Sequence, residues 1–352
     1  MISNAMDLVH ENSIFAISLL QNRFDQSSKL MFLISTLFDP RYAFLFYAPI
    51  LYSLDRYTGR KIMWVAVISE WSNQILKWIL HGERPYWWIH ETSVYNKTGL
   101  PDVQQFVITC ETGPGSPSGH SMVTASVWYI LIEAWLRHRS VDSTKSNLTA
   151  KLAWSFYTII LAVVSLSRVY IAAHFPHQCF LGGIIGVAVA MIISNLDTDS
   201  LSRRGYLTGG FGLFASAMAT YVSLRALGVD PMWSVDRALK WCAKREYVHL
   251  DTTPFFSIMR YVGFFIGMGL GLTSSYSKSA SKVKFTLGMK ILSTILAFAV
   301  CKASEYIKIP MISQLFFYSS ALLINIILPY TFVALIPYMV SKLSVKGKTK
   351  SK

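Results

Sequence analysis

Three short blocks of basic residues and histidines stand at the edges of long apolar stretches. The blocks are Lys77-x6-Arg84-Pro85, Pro117-Ser118-Gly119-His120 and Ser167-Arg168-x5-His174. Fixed cations stabilise a transferring phosphoryl group, and a neutral imidazole can attack its phosphorus. The blocks therefore contain the side chains needed for phosphoryl transfer without a metal ion, and we predict a phosphatase.

The first block pairs a lysine with an arginine near the end of an apolar run. Lys77 and Arg84 are separated by about two helical turns, so one continuous helix would place both on the same face. A lysine inside a membrane helix costs roughly 3 kcal/mol unless it meets water or a partner, which favours a shared site. The alternative is that both side chains extend to the lipid headgroups and have no catalytic role.

The second block follows Gly113-Pro114-Gly115, a strong loop signal, and precedes an apolar helix that begins near Gly119. Backbone N–H groups at a helix start point outward and favour an anion. We therefore expect Ser118 and Gly119 to bind phosphate oxygens, with His120 beside them in the first turn. The alternative is that Ser118 caps the helix and that His120 has no function.

The third block places an arginine and a histidine at the end of another apolar run. Arg168 carries a planar guanidinium that matches phosphate oxygens. His174 is largely neutral near pH 7 and is the candidate nucleophile. Each block taken alone is also explained by charges at a membrane edge. All three fall on the same predicted side of the membrane, and this conjunction favours a catalytic site.

The elements that must position these blocks belong to a polytopic, all-α membrane protein. The 352 residues are 53% hydrophobic and only 15% charged, whereas a soluble domain carries roughly 25% charged residues. Apolar runs of about 20 residues are long enough to cross a bilayer. The net charge of +14 arises from Lys and Arg in the gaps between runs, as the positive-inside rule predicts. Nucleic-acid binding is therefore not expected.

We predict about nine transmembrane helices in a single membrane-embedded domain covering residues 1–352. They run near 30–53, 61–80, 119–136, 151–169, 178–196, 205–226, 256–273, 285–306 and 313–340. The first is the weakest, because Asp39, Pro40 and Arg41 interrupt it.

The basic gaps are predicted to be cytosolic, together with the basic tail at 341–352. The cations of these gaps are Arg56, Arg60, Lys61, Arg137, Arg139, Lys145, Arg203, Arg204, Lys278, Lys282 and Lys284. The alternate gaps hold the three blocks and face the lumen, as does segment 1–29, which is predicted to be interfacial and not a cleavable signal. Asn96 is then a glycosylation acceptor, whereas the Asn147 sequon lies in the cytosol and stays unused.

Two features of the predicted lumenal loops leave alternatives open. Cys110 and Cys242 fall on the same side, so a disulfide is open to them, although the sequence does not set their distance. The loop from about 228 to 255 contains an amphipathic segment, which either covers the sugar side of the site or is an inert surface helix. Cys179 and Cys301 lie in apolar runs and are predicted core residues.

The three blocks resemble the signature of the type-2 phosphatidic acid phosphatase superfamily: Lys-x6-Arg-Pro, Pro-Ser-Gly-His and Ser-Arg-x5-His-x3-Asp. Within that superfamily the chain is similar to the glucose-6-phosphatase catalytic subunits over nearly its whole length. The strings that carry this resemblance are Lys77-Trp78-Ile79-Leu80, Arg84-Pro85-Tyr86-Trp87-Trp88, Cys110-Glu111-Thr112-Gly113-Pro114-Gly115-Ser116-Pro117-Ser118-Gly119-His120, Ala172-Ala173-His174-Phe175-Pro176-His177-Gln178, Trp241-Cys242 and Asp251-Thr252-Thr253-Pro254. The resemblance implies a phosphatidic acid phosphatase type 2-like helical core.

The resemblance also implies the roles of the site residues. His174 attacks phosphorus and forms a phosphohistidine, and His120 protonates the departing sugar oxygen before it activates water. The phosphate is held by Lys77, Arg84, Ser118, Gly119 and Arg168. No metal or other cofactor is required, because fixed cations take its place.

One residue departs from the superfamily signature. Gln178 stands where the signature has an aspartate, which would orient the nucleophilic histidine and stabilise its positive charge. Glutamine can accept a hydrogen bond but carries no charge, and the glucose-6-phosphatase branch shares it. His177 or a backbone carbonyl is the candidate partner that aligns His174.

The implied function is hydrolysis of glucose 6-phosphate at the lumenal face of the endoplasmic reticulum membrane, in gluconeogenesis, glycogenolysis and glucose homeostasis. A glucose-6-phosphate transporter is the candidate partner besides the lipid bilayer. Lys348 and Lys350 resemble a dilysine retrieval signal, although a solvated basic tail is equally expected.

Three alternatives to this function are kept. One is a lipid phosphate phosphatase of the same superfamily. Another is a weakly active islet-type paralogue. It is slightly favoured by the strings Asp39-Pro40-Arg41, Glu91-Thr92 and Trp128-Tyr129. The third is a transporter or structural membrane protein with relict blocks, and the lack of a broken-helix inverted repeat in the sequence argues against it.

Overall fold

A computed structural model describes residues 2–97, 99–139, 146–248, 252–310 and 312–350. Within these ranges the protein consists of helices joined by loops and contains no β-strand, which confirms the all-α prediction. The helices are α1 (Ile2–Arg23), α2 (Ser28–Leu37), α3 (Ala48–Leu54), α4 (Arg56–Leu80), α5 (Pro85–Glu91), α6 (Gly119–Arg139), α7 (Ser146–Tyr170), α8 (Pro176–Asn195), α9 (Arg203–Ala226), α10 (Trp233–Trp241), α11 (Pro254–Leu272), α12 (Ser275–Ser281), α13 (Leu287–Glu305), α14 (Gln314–Tyr330) and α15 (Ile336–Lys350).

Among the described residues, 6 helices are long and apolar enough to cross a membrane, so the predicted count of nine is not confirmed. They are α7, α8, α9, α11, α13 and a continuous stretch from α14 into α15. Helices α4 and α6 have spanning lengths of 25 and 21 residues, but polar and charged side chains interrupt their apolar surface. Lys77 and His120 are among those side chains, so α4 and α6 are less apolar than the six, of which α7 also carries a site residue, Arg168.

The first predicted span, 30–53, is not one helix. Helix α2 ends at Leu37, and helical structure resumes in a π-helical turn at Ala43–Tyr47 that leads into α3. Asp39 and Pro40 lie in the gap. Proline lacks an N–H donor and disfavours the helical conformation of the residue before it. The predicted interruption is confirmed, and the predicted continuous span is wrong.

The described chain divides into two compact units. The first comprises Met1–Pro40, Ser72–Ala190 and Ala219–Ser257, and the second comprises Arg41–Trp71, Met191–Met218 and Ile258–Lys352. All residues of the three blocks belong to the first unit. The single-domain organisation stays a prediction.

Close helix packing in the first unit holds the second block in place. A Cβ atom added at Gly186 of α8 would lie 2.2 Å from the Met122 carbonyl oxygen of α6. The absence of a side chain therefore lets the two helix backbones approach, as small residues do in membrane helix pairs. At the start of the same pair, the Ser118 N–H donates to the Gln178 carbonyl at 3.0 Å. The helix that carries His120 is thus fixed against the helix that carries Gln178.

The second unit contains two buried charged groups with fixed partners. The Lys61 ammonium donates to the carbonyls of Ile193 at 2.9 Å and Ser194 at 3.2 Å, where the last carbonyls of α8 lack intrahelical partners. The Glu70 carboxylate pairs with Arg260 at 2.6 Å between α4 and α11. Both arrangements match the rule that buried charges are paired or hydrogen-bonded.

A disulfide joins two distant loops of the first unit. Cys110 and Cys242 are bonded, their Cα atoms are 5.9 Å apart, and 132 residues separate them in sequence. The sequence left a disulfide between them open, and the structure contains it. Cys179 and Cys301 are free and buried, as predicted. The bond ties the end of α10 to the loop before α6, which is the loop that carries Glu111.

We expect Cys242→Ser to lower the free energy of unfolding by about 2–5 kcal/mol, because the crosslink restricts a long segment of the unfolded chain. Thermal unfolding of the detergent-purified protein measures the change. Dithiothreitol should lower the melting temperature of the wild type and leave that of the variant unchanged. An equal effect of the reductant on both proteins would contradict the prediction.

Candidate active site

The first block does not lie on one continuous helix, which corrects the prediction made from the spacing of Lys77 and Arg84. Helix α4 ends at Leu80, and Arg84 has an extended backbone, with φ −114° and ψ 148°, directly before α5. His81 adopts a positive φ of 48°, and the following proline disfavours a helical Arg84. The resulting turn buries the Arg84 side chain completely, which excludes the alternative that it extends to the headgroups.

The Arg84 guanidinium is held by acceptors on every side. Its Nε donates to the Gly113 carbonyl at 2.7 Å, and its Nη1 donates to the Ala173 carbonyl at 2.9 Å. Nη2 donates to Glu111 Oε2 at 2.9 Å. Nη1 also lies 3.4 Å from His174 Nε2, so this edge of the guanidinium faces the predicted nucleophile.

Glu111 connects the two arginines of the site. Its Oε2 accepts from Arg84, and its Oε1 accepts from Arg168 Nη2. His120 Nδ1 lies 3.8 Å from Oε1, and His174 Nε2 lies 3.9 Å from Oε2. The Arg168 Nε is buried without a hydrogen-bond partner in the described part of the chain, which leaves it available to an incoming oxygen. Two arginines and two histidines therefore converge on one carboxylate.

The charge of Glu111 is set by its neighbours. Burial alone would raise the pKa of this carboxyl, but the guanidinium groups of Arg168 and Arg84 hold the pKa well below its usual range. Glu111 is therefore an anion at neutral pH and a counter-ion for both arginines. The counter-ion role of Glu111 was not predicted from the sequence, because the prediction considered only cations and histidines in this loop. The position of Glu111 directly after Cys110, within the diagnostic loop string, was the available signal.

His174 is buried in a fixed orientation. Its Nδ1 lies 2.8 Å from the Gly115 carbonyl oxygen and 3.3 Å from Gln178 Oε1. Both are acceptors, so Nδ1 carries the proton and Nε2 presents a lone pair. Burial, followed by the positive charge of Arg84, lowers the pKa of His174 well below its usual value. The imidazole is therefore neutral and ready for nucleophilic attack at physiological pH.

Gly115 and Gln178 together orient His174, the predicted nucleophile. A Cβ atom at Gly115 would lie 2.2 Å from the Glu83 carbonyl oxygen and 2.9 Å from the Gln178 amide, so glycine is needed there. Gln178 Nε2 donates to the same Glu83 carbonyl at 2.6 Å, while Oε1 accepts from the Phe175 N–H at 3.1 Å. The backbone carbonyl was one predicted partner. The other, His177, contacts Phe175 by ring stacking instead.

We expect Gln178→Glu to impair the protein although a carboxylate resembles the aspartate of the superfamily signature. Glutamate loses the N–H donor to the Glu83 carbonyl and places a negative oxygen against it, which costs about 1–3 kcal/mol. Thermal unfolding should show this loss, and kcat should fall about tenfold as His174 loses its alignment. A variant with wild-type stability and kcat would show that the amide donor is unimportant.

The second block has one N–H that is already occupied. The Ser118 N–H donates to the Gln178 carbonyl, and the Ser118 hydroxyl accepts from the Ser121 N–H at 3.5 Å. Ser118 therefore caps α6, as in the alternative interpretation, and its N–H is unavailable to phosphate. Gly119 begins the helix, where N–H groups lack intrahelical partners, so the predicted anion contact is restricted to Gly119. His120 faces Glu111 from the first turn, and its side chain is 9% exposed.

Lys77 and α10, which lies in the predicted 228–255 loop, border the loop that carries Glu111. A Cβ atom at Gly113 would lie 3.7 Å from Lys77 Nζ, which places the ammonium beside the loop that binds Arg84. From the other segment, Ser234 Oγ donates to the Thr112 carbonyl at 2.9 Å. Because α10 is attached to this loop, a covering role is favoured over an inert surface helix. That role stays a prediction.

Within the described ranges, no group of three or more His, Cys, Asp or Glu side chains could hold a metal ion. The charged groups at the site are instead Lys77, Arg84, Arg168 and Glu111. The arrangement provides a buried, preorganised anion site with a neutral imidazole at its edge, which suits phosphoryl transfer to a histidine.

Comparison with known proteins extends these observations. The sequence model of the PAP2 superfamily matches residues 59–201. The chain is 37% identical to human "Glucose-6-phosphatase 2" over 98% of this chain and 100% of that protein. It is 36% identical to the dog "Glucose-6-phosphatase catalytic subunit 1" over 98% of this chain and 99% of that protein. A cichlid relative of the same name, from Haplochromis nubilus, is 43% identical over 78% of this chain and 79% of its own length. No solved structure matches the chain.

Proposed function

Because this chain belongs to the glucose-6-phosphatase family of the PAP2 superfamily, we propose that it hydrolyses glucose 6-phosphate to glucose and inorganic phosphate. The observation that carries this proposal is the convergence of Arg84, Arg168, His120 and His174 at one buried anion site. The near-complete coverage of both chains in the comparisons supports the same substrate.

In the first step, His174 Nε2 attacks phosphorus in line with the sugar oxygen. A nitrogen–phosphorus bond forms, and the bond between phosphorus and the oxygen on carbon 6 of the sugar breaks. Arg84, Arg168 and Lys77 hold the phosphoryl oxygens, with the Gly119 N–H at the helix start, and preorganised donors of this kind stabilise the developing charge. His120 donates a proton to the departing sugar oxygen, so glucose leaves as a neutral alcohol.

In the second step, water hydrolyses the phosphohistidine. His120, now neutral, takes a proton from the attacking water, and the nitrogen–phosphorus bond breaks as phosphate forms. The Gly115 carbonyl stays bonded to the Nδ1 proton throughout, which stabilises the positive charge on the phosphorylated ring. A backbone carbonyl and the Gln178 amide therefore take the place of the aspartate in the superfamily signature.

Hydrolysis of a substrate panel tests the proposed function. Detergent-purified protein should release phosphate from glucose 6-phosphate faster than from phosphatidic acid, with His174→Ala as the inactive control. Faster hydrolysis of phosphatidic acid would establish the lipid phosphatase alternative, and no hydrolysis of either would favour a non-enzymatic protein. The identities of 37% and 36% do not separate the two kinds of relative, so the turnover of the pure protein also tests the weakly active islet-type alternative.

We further propose an endoplasmic reticulum location with a lumenal active site and a cytosolic C-terminus. The distribution of Lys and Arg supports this orientation. Asn96 is exposed in the turn after α5, although Thr98 of its sequon lies outside the described residues. Asn147 is also exposed, at the start of α7. A lumenal site would need a supply of sugar phosphate across the membrane, which supports a glucose-6-phosphate transporter as partner.

Glycan mapping tests the orientation. We expect digestion with an N-glycosidase to increase the gel mobility of the wild type and of Asn147→Gln, but not of Asn96→Gln. The reason is that only lumenal sequons meet the glycosylation machinery. A glycan on Asn147 and none on Asn96 would invert the topology.

A further inference from the structure

Two adjoining cavities open in the second unit near the predicted cytosolic end of its helices. One has a volume of about 250 Å³ and the other about 200 Å³, and both are lined by Tyr52 and Arg56. Most of the lining comes from the end of α3, the start of α4, α12 and the start of α13, and single residues come from α9, α11 and α15. Folding thus brings together basic gaps that are separate in sequence.

Four cations line the pair of cavities. Arg56 and Lys290 line the larger one, while Arg56, Arg60 and Lys278 line the smaller one. The Arg56 guanidinium lies 5.0 Å from the centre of the Phe285 ring and donates to the Ala280 carbonyl at 3.4 Å. Arg56 is therefore oriented by weak contacts and retains donors for an anion.

The two carboxylates at the cavities are bound locally. The Asp55 carboxylate accepts from the Thr58 N–H and the Tyr57 N–H at 3.2 Å each, so it caps the start of α4. Asp199 pairs with Arg60 at 2.9 Å. Four cations against two carboxylates leave an excess of positive charge.

A buried hydroxyl, that of Ser293, lines the larger cavity. Ser293 is 0% exposed, and its Oγ has no hydrogen-bond partner in the described part of the chain. A buried polar group without a partner costs about 1–3 kcal/mol. The same cavity has apolar walls from Leu54, Val283, Phe285 and Pro337. Cations, an unpartnered hydroxyl and apolar walls occur together at a membrane edge.

We propose that these cavities bind the headgroup of an anionic phospholipid from the membrane leaflet at the basic end of the protein. The lipid phosphate would contact Arg56 and Lys290 and accept a hydrogen bond from Ser293 Oγ. The glycerol and acyl chains would follow the apolar walls into the bilayer. Basic pockets between membrane helices on the cytosolic side are suited to anionic headgroups, and each cation near such a surface adds about 1 kcal/mol.

Binding of short-chain lipids to the purified full-length protein tests the proposal. Native mass spectrometry should show saturable binding of dioctanoyl phosphatidylserine, little binding of dioctanoyl phosphatidylcholine, and weaker binding at higher ionic strength. Inorganic phosphate serves as the free-anion probe. Displacement of the lipid by phosphate at equal concentration would overturn the lipid assignment in favour of a simple anion site.

Matched variants locate the site. The double variant Arg56→Gln, Lys290→Gln should weaken binding of the phosphatidylserine about thirtyfold. The double variant Lys282→Gln, Lys284→Gln removes the same charge from exposed positions that line neither cavity, and it should bind as the wild type does. Equal weakening in both double variants would show that lipid binding depends on general surface charge, and it would overturn the proposal.

Ser293→Ala separates ligand binding from folding. Loss of the hydroxyl should weaken lipid binding about fivefold through one hydrogen bond, while thermal stability without lipid stays unchanged or rises. Unchanged lipid affinity would exclude the larger cavity as the site. All of these variants lie outside the catalytic site, so retained hydrolysis of glucose 6-phosphate confirms folding, and loss of the proposed enzyme function would not affect the binding result.

Discussion

We expect His174→Ala to lower kcat for glucose 6-phosphate by about ten-thousandfold or more, while the protein still inserts into the membrane. His174 is the proposed nucleophile, and its Nε2 lies 3.4 Å from Arg84 Nη1. The substitution removes the proposed covalent step. Loss of a nucleophile that acts together with a fixed acid and an anion site lowers kcat by this amount. Phosphate release by protein purified in parallel with the wild type measures it.

The covalent intermediate provides a second readout for the same variant. Brief reaction with phosphorus-labelled substrate should label the wild type with an acid-labile, base-stable bond, as a phosphoramidate requires, and should not label His174→Ala. His177→Ala is the matched control, because that ring stacks near Phe175 without contacting Glu111 or Arg84 in the recorded contacts. It should retain kcat within about tenfold. An acid-stable adduct would assign the nucleophile to a hydroxyl.

Glu111→Gln should lower kcat about a hundredfold and at the same time strengthen inhibition by inorganic phosphate. The carboxylate is the counter-ion of Arg84 and Arg168, and a neutral amide leaves two buried guanidinium groups without it. Their orientation for catalysis then weakens. Their uncompensated positive charge meanwhile attracts the product anion more strongly. Steady-state kinetics with added phosphate measures both effects.

The opposite directions of these effects distinguish the prediction from general damage. A merely misfolded variant would lose both activity and phosphate affinity. Glu91→Gln is the matched control, since Glu91 also pairs with cations, Arg237 and Lys240, but at the junction of α5 and α10. Partly exposed pairs of this kind contribute about 1 kcal/mol or less. Weaker phosphate inhibition in Glu111→Gln would refute the counter-ion role.

The sequence predicted those parts of the site that depend on residue type and local order. His174, His120, Arg84 and Arg168 meet in the structure because each stands at a helix end, and helix ends follow from apolar runs and prolines. The role of Glu111 could not be predicted in this way. A carboxylate in a loop is ordinarily solvated, and only the approach of two arginines from other segments makes it a buried counter-ion.

Other errors in the sequence prediction came from treating apolar runs as uniform. Periodicity suggested that Lys77 and Arg84 share a helix, but the left-handed His81 and the proline after Arg84 end it earlier. The Ser118 N–H, which was expected to face phosphate, donates to the Gln178 carbonyl. Such competition among acceptors depends on which helices pack together, and one-dimensional patterns do not contain that information.

The bond between Cys110 and Cys242 has a consequence for when the enzyme becomes active. Disulfides form in the lumen of the secretory pathway and are kept reduced in the cytosol. Cys110 immediately precedes Glu111, so oxidation anchors the residue that organises both arginines. In the proposed orientation, a chain inserted the wrong way round would leave this loop untethered. Only a correctly translocated molecule would then form this disulfide in the oxidising lumen and become catalytically active.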